Sequence, residues 1–280
     1  MARCGSTAGV VRIVPSRLPQ VEAVEADTAR AFGRHVHEQF GVGCILRGSQ
    51  RSASGRGQVQ AQAGDLITVN PGEVHDGQPV GDAGRSWRML YLDPAWLNTQ
   101  AEDLSEGRHG HWEFSLPVLR EPGLAVWFAR LYRAFTDPGA GTGALAGEEA
   151  LCTLLARLGH HRLAPQRLAR PAGLQRARQL LDDASAESLS LATLAREAGL
   201  SRFHFLRAFA QATGLTPHAY QMQRRLGRAR RMIAAGHRLA DTAAACGFVD
   251  QSHLNRLFMR CYGLTPGRYR QAVLSVGLTG

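Results

Sequence analysis

Gly214–Gln221 reads GLTPHAYQ, and Gly263–Arg270 reads GLTPGRYR. Gly, Leu, Thr, Pro and Tyr recur in register 49 positions apart, and the register extends upstream. Leu191 aligns with Leu239, Ala195 with Ala243 and Gly199 with Gly247 at an offset of 48. His204 then aligns with His253, Arg207 with Arg256 and Phe209 with Phe258 at an offset of 49. One extra residue therefore sits in the second copy near Val249, at a position that reads as a turn. Turns are where a duplicated structural unit tolerates a single-residue change. The repeat is a duplication of structure.

Each copy predicts two helices and the turn between them. A short Ala-rich helix ends at Gly199 or Gly247, where glycine supplies the left-handed conformation of a helix C-terminus. Leu200 or Phe248 follows and is expected to plug the gap between helices, with Ser201 and Asp250 as N-caps. The second helix buries Phe205, Ala208 and Phe209, or Leu254, Leu257 and Phe258, at i, i+3 and i+4. Gly214 or Gly263 ends it, and Thr-Pro restarts the chain as cap and first helical residue. Such a helix-turn-helix can lay its second helix in a DNA major groove. The outward faces carry Arg202, Phe203, Leu206 and Arg207, then Gln251, Ser252, Asn255 and Arg256. Arginine can take guanine bidentately, Gln and Asn can take adenine, and Phe or Leu can meet a thymine methyl. His253 falls at the edge of its face, and His204 is expected to pad the interior. Tyr220–Gly236 reads as a connecting helix that holds the two readers about 34 Å apart, one DNA turn. Some of its arginines (Arg224, Arg225, Arg228, Arg230 and Arg231) are expected on phosphate.

Charge points the same way. All 33 basic residues are Arg, and Leu174 to the C-terminus holds 15 of them against 6 Asp and Glu. That segment carries +9 of the formal +10, which favours a polyanionic partner there and not on the near-neutral remainder.

Upstream, Phe32–Leu92 alternates short apolar stretches with Gly, Asp and Pro, the texture of strands in a small sandwich or barrel. Val59, Ala61 and Ala63 alternate with glutamines in the period of a half-buried strand. Beyond Pro122 the period becomes helical: Leu124, Trp127, Phe128, Leu131 and Phe135 share one face, and Leu151, Leu154, Leu155 and Leu158 another. These predict an antiparallel helical hairpin. Five scattered cysteines form no CxxC pair and read as reduced thiols. No 18-residue apolar run and no leader-like core is present, so a cytoplasmic location is expected.

The last ~105 residues resemble the DNA-binding domain of the AraC/XylS family of transcriptional regulators, and ACGFVDQSHLNRLFMRCYGLTPGRYR (Ala245–Arg270) matches that family's second helix-turn-helix signature. The resemblance implies base-reading positions at Arg202, Phe203, Leu206, Arg207, Gln251, Ser252, His253 and Arg256. RHVHEQF (Arg34–Phe40) and AGDLITVNPGEVH (Ala63–His75) resemble the cupin-type sensor domain of the same regulators, whose pocket is usually metal-free. Its effector candidates here are His35, His37, Arg47 and His75. His35, His37 and His75 are also a candidate metal set, although Gln39–Arg47 lacks the usual cupin carboxylate, and Glu38 and Glu73 lie outside that pattern.

The expected fold is α+β multidomain: an N-terminal cupin-like β-barrel with a helical hairpin, and a C-terminal all-α domain with two helix-turn-helix units. The divisions are 1–100 for the effector-binding barrel, 101–162 for the hairpin (dimerisation or packing on the barrel), 163–173 for a linker and 174–280 for the DNA-binding domain, with helix-turn-helix motifs at about 190–213 and 239–262. The expected function is effector-responsive, sequence-specific DNA binding, with no catalytic residue and no resident cofactor. Expected partners are double-stranded DNA and a small-molecule effector, with RNA polymerase and a second copy of the chain as candidates and no membrane. Two other readings stay open: a metal-dependent cupin enzyme fused to a DNA-binding domain, and a constitutive regulator whose barrel only dimerises.

Overall fold

A computed structural model describes residues 9–104, 112–121, 123–137, 144–158, 172–183 and 189–276. The expected linker at 163–173 lies outside these residues except for its last two.

The N-terminal half is built from two antiparallel sheets. The first, in the order β1-β2-β9-β4-β7-β10, joins Val10–Val14, Val21–Thr28, Arg85–Leu92, Phe40–Arg47, Leu66–Val69 and Val118–Leu119. The second, β3-β8-β5-β6, joins Phe32–His35, His75–Pro79, Ser49–Ser54 and Gly57–Gln62. Alternation holds along β6, where Ala61 is buried between exposed glutamines, but Ala63 falls in the turn that follows. A short helix, α1 (Pro94–Leu104), follows β9. Asp93 caps it by accepting from the Trp96 amide at 3.0 Å; the expected barrel does not include this element.

The helical hairpin is α2 (Leu124–Thr136) and α3 (Ala144–Leu158). Its stripes pack on the outer face of the larger sheet, in one core with Val21, Ala23, Phe40, Val42, Leu66, Leu90 and Leu92. Tyr132 is buried in this stripe, whereas Trp127 is only half-buried beneath the guanidinium groups of Arg130 and Arg157.

The C-terminal half holds α4 (Ala172–Asp183), α5 (Leu191–Glu197), α6 (Arg202–Thr213), α7 (Pro217–Ala234), α8 (Leu239–Ala245), α9 (Gln251–Tyr262) and α10 (Pro266–Val276). The punctuation read from the repeat is where local physics puts it. Ser201, Thr216, Asp250 and Thr265 each accept a bond from the amide three residues on. Gly199, Gly214, Gly247 and Gly263 all adopt positive φ. Two separate cores result. One joins α4–α6 and the first turn of α7 around Phe205, Phe209 and Tyr220, and the other joins the rest of α7 to α8–α10 around Leu226, Ile233, Leu254 and Phe258. The two plugs differ: Phe248 is 5% exposed and fills its gap, but Leu200 is 38% exposed and does not.

Candidate functional site

The outward faces of α6 and α9 come first. Ser201 and Asp250 fix where each helix starts, and the buried stripes fix its rotation. On α6 this leaves Arg202, Phe203, Leu206 and Arg207 exposed, with Phe203 64% exposed and the Arg207 guanidinium 5.8 Å from its ring centroid. An exposed Phe and Leu beside two arginines suit van der Waals reading of base edges. On α9 Gln251, Ser252 and Arg256 are exposed, whereas His253 and Asn255 are half-buried. His253 packs its ring against Phe248 at 5.6 Å. His204, expected in the interior, is exposed. The two histidines exchange roles because the second turn holds the extra residue, Val249, which is 88% exposed while Phe248 turns inward to meet His253.

Most arginines of the connecting helix are engaged within the chain. Arg225 donates to the Gly247 carbonyl at 2.6 Å and staples α7 to the end of α8. Arg224 pairs with both Asp182 (2.8 Å) and Glu38 (3.1 Å), and Arg231 pairs with Glu38. Arg230 pairs with Glu22, donates to Gln39 at 2.7 Å, and lies between the rings of Tyr262 and Tyr269 at 5.5 and 5.4 Å. Among the described residues Arg228 is the one of the five with no ion pair or hydrogen bond. Three of the five therefore grip the N-terminal half. Two further contacts reinforce the grip: Arg34 donates to the Gly214 carbonyl at 2.9 Å, and the Val36 amide donates to Gln223 at 3.4 Å.

Beneath this grip lies a cavity of about 120 Å³. The two sheets supply Phe32, His35, His37, Gln50, His75, Arg85, Trp87 and Tyr91, and the helical half closes it with Arg230, Cys261, Tyr262, Leu264 and Tyr269. His35, His37 and His75 converge here, with one nitrogen of each within 4.8 Å of the others. His35 and His75 are held by their Nδ1 atoms, which lie 2.7 Å from the Gly33 carbonyl and 3.1 Å from the Glu73 carbonyl. Carbonyls only accept, so both Nδ1 atoms carry protons and both Nε2 atoms present bare lone pairs. The Tyr91 hydroxyl lies 3.4 Å from His37 Nε2. Burial, then the neighbouring rings, pushes His35 down to about 3 and His37 well below the usual range; burial and Arg56 lower His75 to about 4. All three are neutral imidazoles at pH 7, the state in which histidine can ligate a metal.

Arg47 does not join them. The ladder between β4 and β9 is irregular after Ile45, and Arg47 sits opposite Ser86, one residue from Arg85. Neighbours along a strand face opposite sides, so Arg85 takes the cavity side and Arg47 the outside, bonded to Asp27 and the Ala83 carbonyl. Arg85 is fully buried, donates to Gln50, Arg30 and Gly77, lies 4.6 Å from the Trp87 ring centroid, and is lowered to about 10 by burial. Arg85, and not the sequence candidate Arg47, lines the cavity. Sequence reading missed Glu22, Tyr91, Tyr262 and Tyr269, which no local motif marks.

No helix among the described residues is long and apolar enough to cross a membrane. Residues 18–156 match the family model of the AraC-like ligand binding domain, and residues 194–272 that of a helix-turn-helix domain. The chain is 27% identical to the uncharacterized HTH-type transcriptional regulator YbfI of Bacillus subtilis, over 80% of this chain and 81% of that one. It is 26% identical to the HTH-type transcriptional activator RhaR of Klebsiella pneumoniae, over 92% and 94%. Its fold is similar to that of unsaturated-fatty-acid-bound ToxT from Vibrio cholerae, with a TM-score of 0.55, 10% identity, and 98% and 99% of the two chains covered. The chain belongs to the AraC family of transcriptional regulators, with an N-terminal ligand-binding domain and a C-terminal helix-turn-helix DNA-binding domain.

Proposed function

We propose that this regulator is gated by a small molecule held in the cavity between the sheets and the helical half. One observation carries the reading: the wall is shared, with Arg230, Tyr262 and Tyr269 facing His37, Tyr91 and Trp87. A ligand shifts a conformational equilibrium only by binding its two states unequally. Moving the helical half away would remove part of this ligand's contacts, so occupancy and domain position are coupled. A cavity near 120 Å³ suits a molecule of about one aromatic ring. Phe32 and Trp87 offer apolar walls, and Arg85 and the imidazoles offer a few polar anchors.

In this reading residues 1–162 sense and residues 174–280 bind DNA in the cytoplasm. The major-groove readers are Arg202, Phe203, Leu206 and Arg207 on α6, and Gln251, Ser252 and Arg256 on α9, with His253 and Asn255 at a half-buried edge. RNA polymerase and a second copy of the chain are the further partners proposed.

Selection of DNA from a random pool by the full chain, followed by gel shift, tests the reading. Binding to no sequence better than random competitor overturns it. Calorimetric titration with ring-sized metabolites then tests gating. A ligand whose affinity is indifferent to Tyr262→Ala and Arg230→Met removes the shared-wall mechanism.

A further inference from the structure

We infer that His35, His37 and His75 form a binding site for a late first-row divalent metal ion on the cavity floor, facing the DNA-binding half. This goes beyond the effector reading, because the ion can bind whether or not an organic ligand does. Three observations carry it.

The first is convergence. The three imidazoles come from β3, the turn after it, and β8, yet each offers a nitrogen within 4.8 Å of the other two. Zn–N bonds are about 2.0–2.1 Å, so a movement of about an ångström closes this set on one ion.

The second is how the rings are held. His35 and His75 each place Nδ1 against a backbone carbonyl, at 2.7 and 3.1 Å. Metal-ligating histidines are oriented this way, with the outer nitrogen donating to a carbonyl and the inner one left basic.

The third is what the cluster lacks. His37 is buried, and its Nδ1 has no hydrogen-bond partner among the described residues. A buried polar atom left unpaired forfeits its hydration without a compensating bond. The bare lone pairs of His35 and His75 need a donor or a cation, and no imidazole in the group can donate to both neighbours.

Two carboxylates in the wall, Glu22 and Glu73, are held by Arg230 and Arg56, whereas Asp76 is in no ion pair among the described residues and favours positive charge at His35, against the nearby cations Arg56, Arg85 and Arg230. Three neutral nitrogen ligands without thiolate favour Fe, Ni, Cu or Zn over Mg or Ca. With three protein ligands the ion keeps an open position toward the cavity. The His37 ring lies 6.1 Å from that of Tyr262 on α9, so the site adjoins the domain contact.

The test uses the full chain, free of any histidine tag and stripped by chelator. Co²⁺ titration should give ligand-field absorption saturating at one equivalent, and Zn²⁺ should compete for it. His37→Ala and His75→Ala should each weaken binding at least tenfold, whereas the surface control His204→Ala should leave it unchanged. As a readout independent of the variants' folding, Zn²⁺ should protect histidines of the wild-type chain from diethyl pyrocarbonate in the peptides that contain positions 35, 37 and 75. Absence of stoichiometric binding, or binding and protection that map to other histidines, overturns the assignment. Selective DNA binding measured on the same preparation separates loss of this site from failure of the regulator reading.

Discussion

Arg230, on the helix that joins the two DNA-reading units, pairs with Glu22 on the second strand of the sensor domain, 208 residues away in sequence. Between the Tyr262 and Tyr269 rings the guanidinium loses water, but Glu22 and the tyrosines keep it firmly cationic. The pair ties cavity, connecting helix and sheet together. Arg230→Met should remove charge-assisted bonds of about 1.5–3 kcal/mol and leave the Glu22 carboxylate with the Tyr269 hydroxyl in place of a cation. Denaturant unfolding should separate into two transitions if wild type shows one. Adding Glu22→Gln should restore part of the loss, because it removes the orphaned charge.

Glu38 is the outer half of the same grip, accepting from both Arg224 and Arg231. Exposed pairs of this kind contribute about 0.2–1 kcal/mol and are screened by salt. Glu38→Ala should therefore loosen the halves without unfolding either, seen as a larger radius of gyration in X-ray scattering. Added salt should expand wild type toward the variant and change the variant little.

On the DNA side, Arg256→Ala and Arg207→Ala should each cost about 1–3 kcal/mol against the selected sequence and less against random DNA, provided these side chains meet base edges. Phe203→Ala should relax preference at a thymine. Arg228→Ala should weaken all sequences alike and reduce the salt slope of binding by about one. Competition gel shifts at several salt concentrations separate these outcomes.

The sensor's charge pairs set a pH response. Burial pushes Glu25 up, but Arg12 and Arg88 together outweigh it and hold the carboxyl below the usual range. Its contribution is complete above the unfolded carboxylate's pKa and is lost as pH falls through the lower folded value. Urea midpoints should drop below about pH 4.5 in wild type, and less steeply in Glu25→Gln.

Glycine substitutions discriminate the two ends of a repeat. Gly199 has φ +68 and open space around an added Cβ, so Gly199→Ala should cost only left-handed strain, about 1–2 kcal/mol. Gly263 has φ +76, and its Cβ would meet Val11 at 2.8 Å and Phe32 at 3.0 Å. Gly263→Ala should lower Tm further and push α10 off the sheets.

What the sequence made legible was local. Caps, positive-φ glycines and the stripes of α6 and α9 depend on residues within a turn of each other, so Ser201, Gly214, Phe205 and Phe209 could be placed by inspection. The histidine cluster was legible because His35 and His37 are two apart and the turn before His75 is marked by Pro71 and Gly72. Five arginines on α7 look alike in sequence, yet one staples α8, three grip the sensor and one faces neither. Those roles depend on Glu22, Glu38 and Gly247, which arrive from distant chain. Arg47 and Arg85 differ only in strand register, which a bulge decides.

Val11 and Ile13 of β1 pack into the core that Tyr269 and Val273 of α10 help to form. These are the first and last of the described elements. A ribosome delivers them in that order, so β1 must wait, with an apolar edge uncovered, while more than two hundred residues are made. The sensor's own core and the helical core around Phe205 and Phe209 can settle during that interval, because neither needs α10. The contact between β1 and the helical half can therefore form only after α10 has emerged, and it couples the two ends of the described structure.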